Sequence, residues 1–580
     1  MTKYYVNKNI GSDSNNGLST SKPFESVAKI NSMSLKPGDE VLFAKGQIWK
    51  ETLKPKTSGT DDNPITFGSY GSGDKKAVFD GAQELKNADW YKIGTNQWQT
   101  DVSKKGYLDP GKLYINGEAA NPESANSWNV DSSGDWNWTN GKLTMYATSD
   151  PQGRDIAIQV RDEGIRLDYK DHLVFEDIVT KRFFNGITLY ESADNNRFDD
   201  VSSRANTLHG FWIKASDNVV LDGIRAYDNG QATTKLTSAK TGEGVFLDSR
   251  ADDTTIKNSA VYDNGQHGIN ISHLTGGDHK IQNVISHGNG ESGVAVAGGD
   301  VSIAGSTLYD NDLGGIVATL NAKTMTLKDN VITAPAGKNL HALYARGAGD
   351  ARFVSEDNHY KGDAGHVIYL HAEAGDHSTF KDDLITASKT KPYLPLVWAQ
   401  GGTDHVFDDV SIVSKGWQGI PILVDPDSSV EVKNSYLYGT GHTLVTDVDG
   451  GGYRGVNNNY FKPDSSQYWI FKAGRDYSES DIDAGRVDSG SSTKPMTPSQ
   501  MEDAWQDGRN PVSLNSLRIT SKDALSNTTE ATEVTLPGED DPIDVTGSDD
   551  APATDTGDGI DALTMPTDDD ATPASDALLV

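Results

Sequence analysis

The sequence predicts an all-β chain that winds into a right-handed parallel β-helix, a solenoid in which each coil stacks on the coil before it. Two observations predict this fold. Short β-branched strands recur with a period of 22–25 residues, and turns rich in Asn, Asp and Gly separate them. The segment NGQHGI at residues 264–269, for example, returns as NGESGV at residues 289–294. Leucine-rich repeats share this period, but they require Leu and Asn at fixed offsets that the chain lacks.

The first part of the chain is predicted to close the solenoid. Residues 1–55 should form an N-terminal cap with the first coils. Within residues 23–33, apolar side chains recur at helical spacing, namely Phe24, Val27, Ile30 and Met33. An amphipathic helix there can cover the open edge of the first coil, and a strand is predicted at Glu40–Ala44. Residues 56–150, rich in Trp, Gly and Asn, are predicted to be early coils with an inserted β-rich lobe.

Residues 151–485 are predicted to form the main solenoid, which we regard as its catalytic core. A glycine precedes each strand at steps of 24, 34, 24, 25 and 22 residues: Gly186, Gly210, Gly244, Gly268, Gly293 and Gly315. The long step holds an extra polar segment, residues 231–242, which we expect to border a binding cleft. Residues 486–530 should form a C-terminal cap with a short helix. Residues 531–580 should be a disordered acidic tail, because they hold no Lys or Arg and few large apolar side chains.

Composition excludes several classes of protein. The absence of Cys excludes disulfides and Cys-ligated metal sites, and no apolar run is long enough to span a membrane. A net charge of −32 makes nucleic acid a poor partner. The N-terminus shows no Sec signal, whereas the final residues ASDALLV are similar to type I secretion signals. We therefore expect a secreted, monomeric bacterial protein that is exported by type I secretion machinery.

Alternation along each strand predicts which side chains face the core. Positions one and three after the glycine are apolar in all six coils, so positions two and four, and the residue before the glycine, should face solvent. Three successive coils carry ionisable groups on this outward face, whereas the next two carry Ala, Ser, Thr and Val. The outward candidates are Tyr190, His209, Trp212, Lys214, Glu243, Asp248, Arg250, His267, Asn270 and His273.

This collection of side chains suits acid–base chemistry on a carbohydrate. A lyase that acts on a uronate needs a base, a group that neutralises the carboxylate, and an acid for the leaving oxygen. The candidate bases are Lys214, His209 and His267. Arg250 would neutralise the uronate and Asp248 would orient Lys214. The remaining candidates for substrate binding are Trp212, Tyr190, Asn270 and His273.

Two alternative functions and one candidate metal site stay open at the level of the sequence. Glu243 and Asp248, at the two ends of one strand, are candidates for the paired carboxylates of a glycoside hydrolase. A non-catalytic adhesin or matrix protein is the second alternative, because Lys214 opposite Asp248 is also an ordinary cross-strand ion pair. Asp252 and Asp253, on a turn, are candidate Ca²⁺ ligands, although paired Asp residues often only cap turns.

Two stretches carry a resemblance to known families. YYVNKNIGSDSNNGLSTSKPFESVAKINSMSLKPGDEVLFAKG resembles the start of many bacterial right-handed β-helix carbohydrate enzymes, polysaccharide lyases among them. EGVFLDSRADDTTIKNSAVYDNGQHGINIS is similar to coils of bacterial mannuronan C5-epimerases and alginate-type lyases. That likeness implies that Asp248 occupies the position of a catalytic aspartate and that His267 matches a histidine of the next coil.

The chain also departs from the epimerase pattern. The epimerases' Asp-Pro-His-Glu element should fall one coil earlier, where residues 209–214 read HGFWIK, and it is absent. The resemblance therefore implies a uronate-active β-helix enzyme. The sequence as a whole predicts a polysaccharide lyase that cleaves an acidic bacterial exopolysaccharide by β-elimination.

Overall fold

A computed structural model describes residues 1–506 of the chain, apart from residues 87, 103–110, 121–129, 231–240, 273–275, 320, 336–339, 347–350, 363–365, 388–393, 416–418, 442, 449–451 and 464–467. All described residues belong to one compact unit. Most of the extra polar segment, the acidic tail and the secretion signal lie outside the described residues. None of the described helices is long and apolar enough to cross a membrane.

Three long sheets, which we call A, B and C, form the walls of the solenoid. Within each coil the chain passes from sheet C to sheet A and then to sheet B. Sheet A consists of Lys3–Val6, Glu40–Ala44, Ile65–Tyr70, Leu173–Glu176, Arg197–Asp199, Val220–Asp222, Thr255–Lys257, Asp278–Gln282, Asp300–Ala304, Thr324–Lys328, Arg352–Glu356, Thr379–Lys381, His405–Asp408, Val430–Lys433 and Tyr453–Val456. Sheet B consists of Ile48–Trp49, Ala77–Asp80, Ile178–Lys181, Ser202–Arg204, Arg225–Tyr227, Ala260–Tyr262, Ile285–His287, Thr307–Tyr309, Val331–Thr333, His359–Gly362, Leu384–Ala387, Ser411–Ser414, Tyr436–Tyr438 and Asn459–Phe461.

Sheet C carries the outward face that the sequence singles out. It consists of Glu163–Asp168, Asn185–Tyr190, Phe211–Lys214, Val245–Asp248, Ile269–Ile271, Ser292–Val296, Gly314–Thr319, His341–Arg346, Ile368–Leu370, Pro395–Ala399, Ile420–Val424, Val445–Asp447, Ile470–Lys472 and Arg475–Tyr477. Strands in the three sheets pair in parallel with the next coil, except for the final antiparallel pair of sheet C. The predicted parallel solenoid is therefore confirmed.

A separate lobe interrupts the solenoid between residues 82 and 159. It contains two antiparallel four-stranded sheets. One consists of Ala82–Glu84, Leu113–Ile115, Glu118–Ala119 and Ile156–Gln159. The other consists of Tyr91–Gly94, Gln97–Asp101, Trp136–Thr139 and Lys142–Tyr146. Buried Trp, Leu and Ile side chains give this lobe an apolar cluster of its own, which includes Trp136 and Trp138.

Three short helices lie near the ends of the described chain. Helix α1 (Val27–Ser32) begins at Ser26, whose hydroxyl accepts a hydrogen bond from the main-chain N–H of Lys29. Its buried Val27 and Ile30 join the core of the first coils, as the helical spacing predicts. Helix α2 spans Glu479–Asp483, and helix α3 spans Pro498–Gln506 and buries Met501 against sheet B.

The core consists of the inward rows of all three sheets. In sheet C, the side chains at positions one and three after each glycine are fully buried, as alternation predicts. Aromatic side chains also stack from coil to coil inside the solenoid, as Phe67, Phe175 and Phe198 do with ring centroids 5.0–5.1 Å apart. Burial of these rows supplies the apolar driving force for stacking one coil on the next.

A buried asparagine ladder explains the repeated Asn-Gly motif of the sequence. Each side-chain amide in the turn between sheets B and C donates to the amide oxygen of the next coil, at distances of 2.8–3.0 Å. The ladder runs through Asn206, Asn229, Asn264, Asn289 and Asn311, all at most 1% exposed. These bonds satisfy polar groups that would otherwise be buried without partners, so the motif positions each coil beneath the next.

Candidate functional site

The register of sheet C brings the predicted outward side chains together. Tyr190, Lys214 and Asp248 lie opposite one another on three successive strands. The row two residues earlier contains Thr188, Trp212, Phe246 and Asn270. We call the group formed by Tyr190, His209, Trp212, Lys214, Glu243, Asp248 and Asn270 the proximal group. His273 lies outside the described residues.

The proximal group is less exposed than alternation alone predicts. Its members at positions two and four are half-buried, and the residue before the glycine is buried in several coils, as Glu243 and Ser292 are. Thr188 and Ala295 are also buried, although both were expected to face solvent. The reason is that strands of the neighbouring coils lie about 4.8 Å away on either side and cover short side chains. The expectation of a fully solvent-facing row is therefore wrong at these positions.

Asp248 lies at the centre of a small polar network. Its Oδ2 accepts a hydrogen bond from the indole Nε1 of Trp212 at 3.1 Å, and its Oδ1 accepts from the hydroxyl of Ser249 at 2.8 Å. Lys214 Nζ lies 3.8 Å from Oδ2, which is a loose ion pair. The same ammonium group lies 5.4 Å from the ring centroid of Tyr190 and 5.5 Å from that of Trp212. Asp248 thus orients Trp212, while Lys214 remains available to an anion.

His209 and Glu243 form the closest contact of the proximal group. Glu243 Oε2 lies 2.5 Å from His209 Nδ1, and Oε1 accepts a hydrogen bond from Asn270 at 3.1 Å. The main-chain N–H of Glu243 also approaches Nδ1, at a longer distance of 3.3 Å. Nδ1 cannot both accept from the main-chain N–H and donate to the carboxylate. A proton on Nδ1 satisfies the buried Glu243 Oε2, which has no other hydrogen-bond partner among the described residues, and leaves the lone pair on Nε2.

Nε2 of His209 has no hydrogen-bond partner in the described part of the chain. The imidazole ring packs against the rings of Phe246 and Trp212, with centroids 5.0 and 6.0 Å away. The side chain keeps 14% of its surface exposed. His209 is therefore held in place on one nitrogen and open on the other, as a general base requires.

The electrostatics of Glu243 fit this arrangement. Burial acts to raise the pKa of its carboxyl, but His209, His267 and the hydrogen bond from Asn270 outweigh burial and lower the pKa to about 2. Glu243 is therefore ionised at neutral pH. An ionised carboxylate at this position stabilises the imidazolium that forms when His209 accepts a proton.

His267 has a different environment from His209. Its Nε2 lies 2.8 Å from Glu291 Oε2, and its Nδ1 accepts the main-chain N–H of Ser292 at 3.2 Å. Burial acts to raise the pKa of Glu291, and the contact with His267 overrides it to give a lowered pKa. Because both ring nitrogens have partners, His267 helps to hold its neighbours in place and is not free to take a proton from a substrate.

Arg250 is exposed in the turn after Val245–Asp248, with a φ angle of 62°. Among the described residues no hydrogen bond or ion pair joins its guanidinium to Asp248 or Glu243. Its role in neutralising the uronate stays a prediction.

A cation that the sequence reasoning missed lies one coil before Tyr190. The guanidinium of Arg166 lies 6.0 Å from the centroid of the Tyr190 ring and pairs with Glu163 and Asp168, each at 2.9 Å. Arg166 stands opposite Thr188, in the same row as Trp212. Gly164 precedes it by two residues, so an alignment of the repeat begun one glycine earlier would have found it.

The two aspartates predicted to bind calcium, Asp252 and Asp253, accept hydrogen bonds from main-chain N–H groups in the turn of the next coil. Asp252 Oδ1 accepts the main-chain N–H of Gly276 at 2.6 Å, and Asp253 Oδ1 accepts that of Asp278 at 2.8 Å. Asp217 and Asp194 accept from the following coil in the same way. No cluster of three or more His, Asp or Glu side chains suited to a metal ion occurs among the described residues. The hydrogen bonds of the two carboxylates fit a structural role, and calcium binding stays a prediction.

Comparisons with known proteins agree with the fold. The family described as "Right handed beta helix region" matches residues 143–275 and 243–405. A lacto-N-biosidase of Bifidobacterium longum subsp. longum is 25% identical over 288 residues, which is 47% of this chain and only 16% of that protein.

Two solved structures are also similar. The complex of XylC with xylose has a TM-score of 0.42 and 13% identity, over 84% of this chain and 86% of that one. An alginate lyase of Paenibacillus sp. str. FPU-7 has a TM-score of 0.35 and 16% identity, over 60% of this chain and 97% of that one. Together with the strand pairing, the family match confirms the right-handed parallel β-helix that the sequence predicts.

Proposed function

We propose that the chain is a polysaccharide lyase that cleaves a uronate-containing polymer by β-elimination on the outward face of sheet C. The observation that carries the proposal is the contact between Glu243 and His209, which leaves Nε2 open near Trp212. Lys214 Nζ lies 5.5 Å from the centroid of the same indole. A base and a cation therefore both lie close to one aromatic ring that suits a sugar.

The reaction assigns a task to each of these groups. His209 Nε2 takes the proton from C5 of the uronate, and Glu243 stabilises the resulting imidazolium. Lys214 neutralises the uronate carboxylate, which makes the C5 proton more acidic. The C5–H electron pair becomes the C4–C5 double bond, the bond from C4 to the glycosidic oxygen breaks, and the Tyr190 hydroxyl donates a proton to the leaving oxygen. Arg166 lies beside Tyr190 and is itself paired with Glu163 and Asp168, so it helps to hold this end of the group in place.

The geometry favours this reaction over hydrolysis by Glu243 and Asp248. A glycoside hydrolase needs one protonated carboxyl group to donate to the leaving oxygen. Glu243 is buried, with a pKa lowered to about 2, so it holds no proton at neutral pH. Asp248 accepts two hydrogen bonds and faces Lys214. Neither carboxyl group has the environment of a general acid.

A panel of acidic polysaccharides tests the proposal. The panel contains polymannuronate, polyguluronate, polygalacturonate, gellan and xanthan, with and without chelator. A lyase gives the ultraviolet absorbance of unsaturated uronates together with new reducing ends. New reducing ends without that absorbance would identify a hydrolase, and no product from any polymer would favour the adhesin. Secretion by a type I route, a monomeric state and a calcium requirement stay predictions.

A further inference from the structure

A second group of aromatic and polar side chains lies on sheet C, several coils beyond the proximal group. Tyr344, Tyr369 and Trp398 stand opposite one another on successive strands, in the same row as Trp212. Their rings stack, with centroids 5.2 Å apart for the two tyrosines and 4.7 Å apart for Tyr369 and Trp398. We call these three residues, together with Gln400 and Asp425, the distal group.

The distal group repeats the hydrogen bond that organises the proximal group. Trp398 Nε1 donates to Asp425 Oδ2 at 3.0 Å, just as Trp212 Nε1 donates to Asp248 Oδ2 at 3.1 Å. In both cases the carboxylate lies on the next coil, two residues after the residue that stands opposite the tryptophan. The same arrangement of indole and carboxylate therefore occurs twice on one face of the solenoid.

Two polar groups of the distal group have no partner among the described residues. The hydroxyl of Tyr369 donates to Gln400 Oε1 at 2.6 Å, which fixes the Gln400 amide and leaves its Nε2 open. Asp425 Oδ2 is occupied by Trp398, while Oδ1 remains open. Gln400 and Asp425 are half-buried, so their open donor and acceptor are accessible. A donor and an acceptor beside aromatic rings are the groups that bind sugar hydroxyls.

The charge of the distal group differs from that of the proximal group. Burial lowers the pKa of His341 to about 3 and that of His366 to about 4, so both adjacent imidazoles are uncharged at neutral pH. Asp425 forms no ion pair with Lys or Arg in the described part of the chain, whereas Asp248 faces Lys214. Among the described side chains, this environment offers partners for the hydroxyl groups of an uncharged sugar and no cation for a uronate carboxylate.

The spacing along sheet C connects the two groups. Trp212 and Trp398 are separated by seven strand-to-strand steps. At about 4.8 Å per step, the separation is about 34 Å, which an oligosaccharide can span and a disaccharide cannot. The coils between the groups present small or aliphatic side chains in this row, including Ala295 and Val317. No large side chain of this row divides the face between Asn270 and Tyr344.

We propose that the distal group is a second sugar-binding subsite, which holds an uncharged pyranose of the same polymer whose uronate lies at the proximal group. The proposal deepens the lyase assignment and rests on it for the class of polymer. It assigns the chain a heteropolysaccharide substrate in which neutral sugars accompany uronates, and it predicts that one polymer molecule contacts both groups.

Affinity electrophoresis tests the subsite without relying on cleavage. The gels contain gellan or xanthan, which carry glucuronate among neutral sugars, or polymannuronate, in which every residue is charged. All proteins carry His209→Ala, so that no polymer is cut during the run. Trp398→Ala and Asp425→Asn are the test variants. Tyr262→Ala is the matched control, because Tyr262 belongs to a comparable outward aromatic stack on sheet B.

We expect the dissociation constant for gellan or xanthan to rise about tenfold in Trp398→Ala and Asp425→Asn, which corresponds to about 1.4 kcal/mol. Tyr262→Ala should bind as its parent does. Equal binding by all variants, or no retardation of the parent by either heteropolymer, would overturn the subsite. Loss of polymannuronate binding in Trp398→Ala would overturn its preference for an uncharged sugar. If the wild-type protein binds the polymer in a way that depends on Trp398 and yet forms no unsaturated product, that result would refute the lyase assignment and would still support the subsite.

Discussion

His209 differs from His267 of the next coil in having one ring nitrogen held by a partner and the other open. Glu243 lies against Nδ1, whereas His267 has partners on both nitrogens. The difference arises from the partner side chains, which are Glu243 for His209 and Glu291 for His267. Glu243 is therefore the positioning residue on which the proposed role of His209 depends.

The variant Glu243→Gln tests that role. An amide of the same shape cannot stabilise the imidazolium, so kcat should fall about 10²-fold, within the range that general acid–base catalysis contributes. KM should change little, because Glu243 is buried and makes no contact with the bulk of the polymer. The matched control is Glu291→Gln, which alters the partner of His267 and should keep kcat near the wild-type value. Equal losses in the two variants would contradict a special role for Glu243.

The lowered pKa of Glu243 also predicts a pH dependence of stability. Its carboxyl has an ordinary pKa of 4.5 in the unfolded chain and a pKa of about 2 in the folded protein. The stabilisation is therefore complete above pH 4.5 and is lost as the pH falls towards 2. The advantage of wild type over Glu243→Gln in free energy of unfolding should therefore shrink as the pH falls from 4.5 to 2. Urea unfolding followed by circular dichroism at both ends of this range measures it, and a constant difference would contradict the account.

At the scale of elements, the asparagine ladder ties each coil to the next. Asn264→Ala would leave the buried amide and main-chain N–H of Asn229 without their acceptor. Because each unsatisfied buried group costs about 1–3 kcal/mol, the unfolding free energy should fall by about 3 kcal/mol. Thermal and urea unfolding measure this change. The control is Asn258→Gly on an exposed turn, where glycine suits the positive φ angle, and it should cost much less. Similar losses in both variants would show that the ladder adds little.

The outward and inward rows of sheet C were largely predictable from the sequence, and their exposure was not. Strict alternation placed Trp212, Lys214 and Asp248 on one face in the correct register. Alternation carries no information on how far a neighbouring coil covers a side chain, so the burial of Glu243 was not foreseen. Arg166 was missed because the repeat was aligned from Gly186 instead of Gly164, although its charge and position fit the pattern.

The lobe and the helices show the same limit of local patterns. Helix α1 and the strand at Glu40–Ala44 follow from apolar spacing, and the structure confirms both. The two antiparallel sheets of the lobe pair residues far apart in the sequence, such as Ala82–Glu84 with Ile156–Gln159. Such pairings depend on the three-dimensional arrangement of the chain, so short strand-like runs indicated a β-rich lobe without its sheet order.

At the scale of the whole molecule, the chain carries a net charge of −32 and is proposed to bind a polyanion. Overall repulsion opposes the approach of the polymer, while Lys214 attracts it locally. The Debye length falls from about 30 Å at 0.01 M salt to about 8 Å at 0.15 M, which screens the distant charges more than the close contacts. KM for a uronate polymer should therefore fall several-fold as NaCl rises over this range. A steady rise of KM with salt would indicate that local attraction dominates throughout.

The most direct test of the central claim is the initial rate at which unsaturated uronate appears, measured by ultraviolet absorbance on the acidic polymers that the wild-type protein cleaves. His209→Ala should lower this rate about 10²-fold or more, as expected for loss of a general base, and His267→Ala should retain most of it. Circular dichroism confirms that both variants fold. Wild-type cleavage that produces the absorbance and survives His209→Ala, or that depends on His267 instead, would contradict the assignment of His209 as the base.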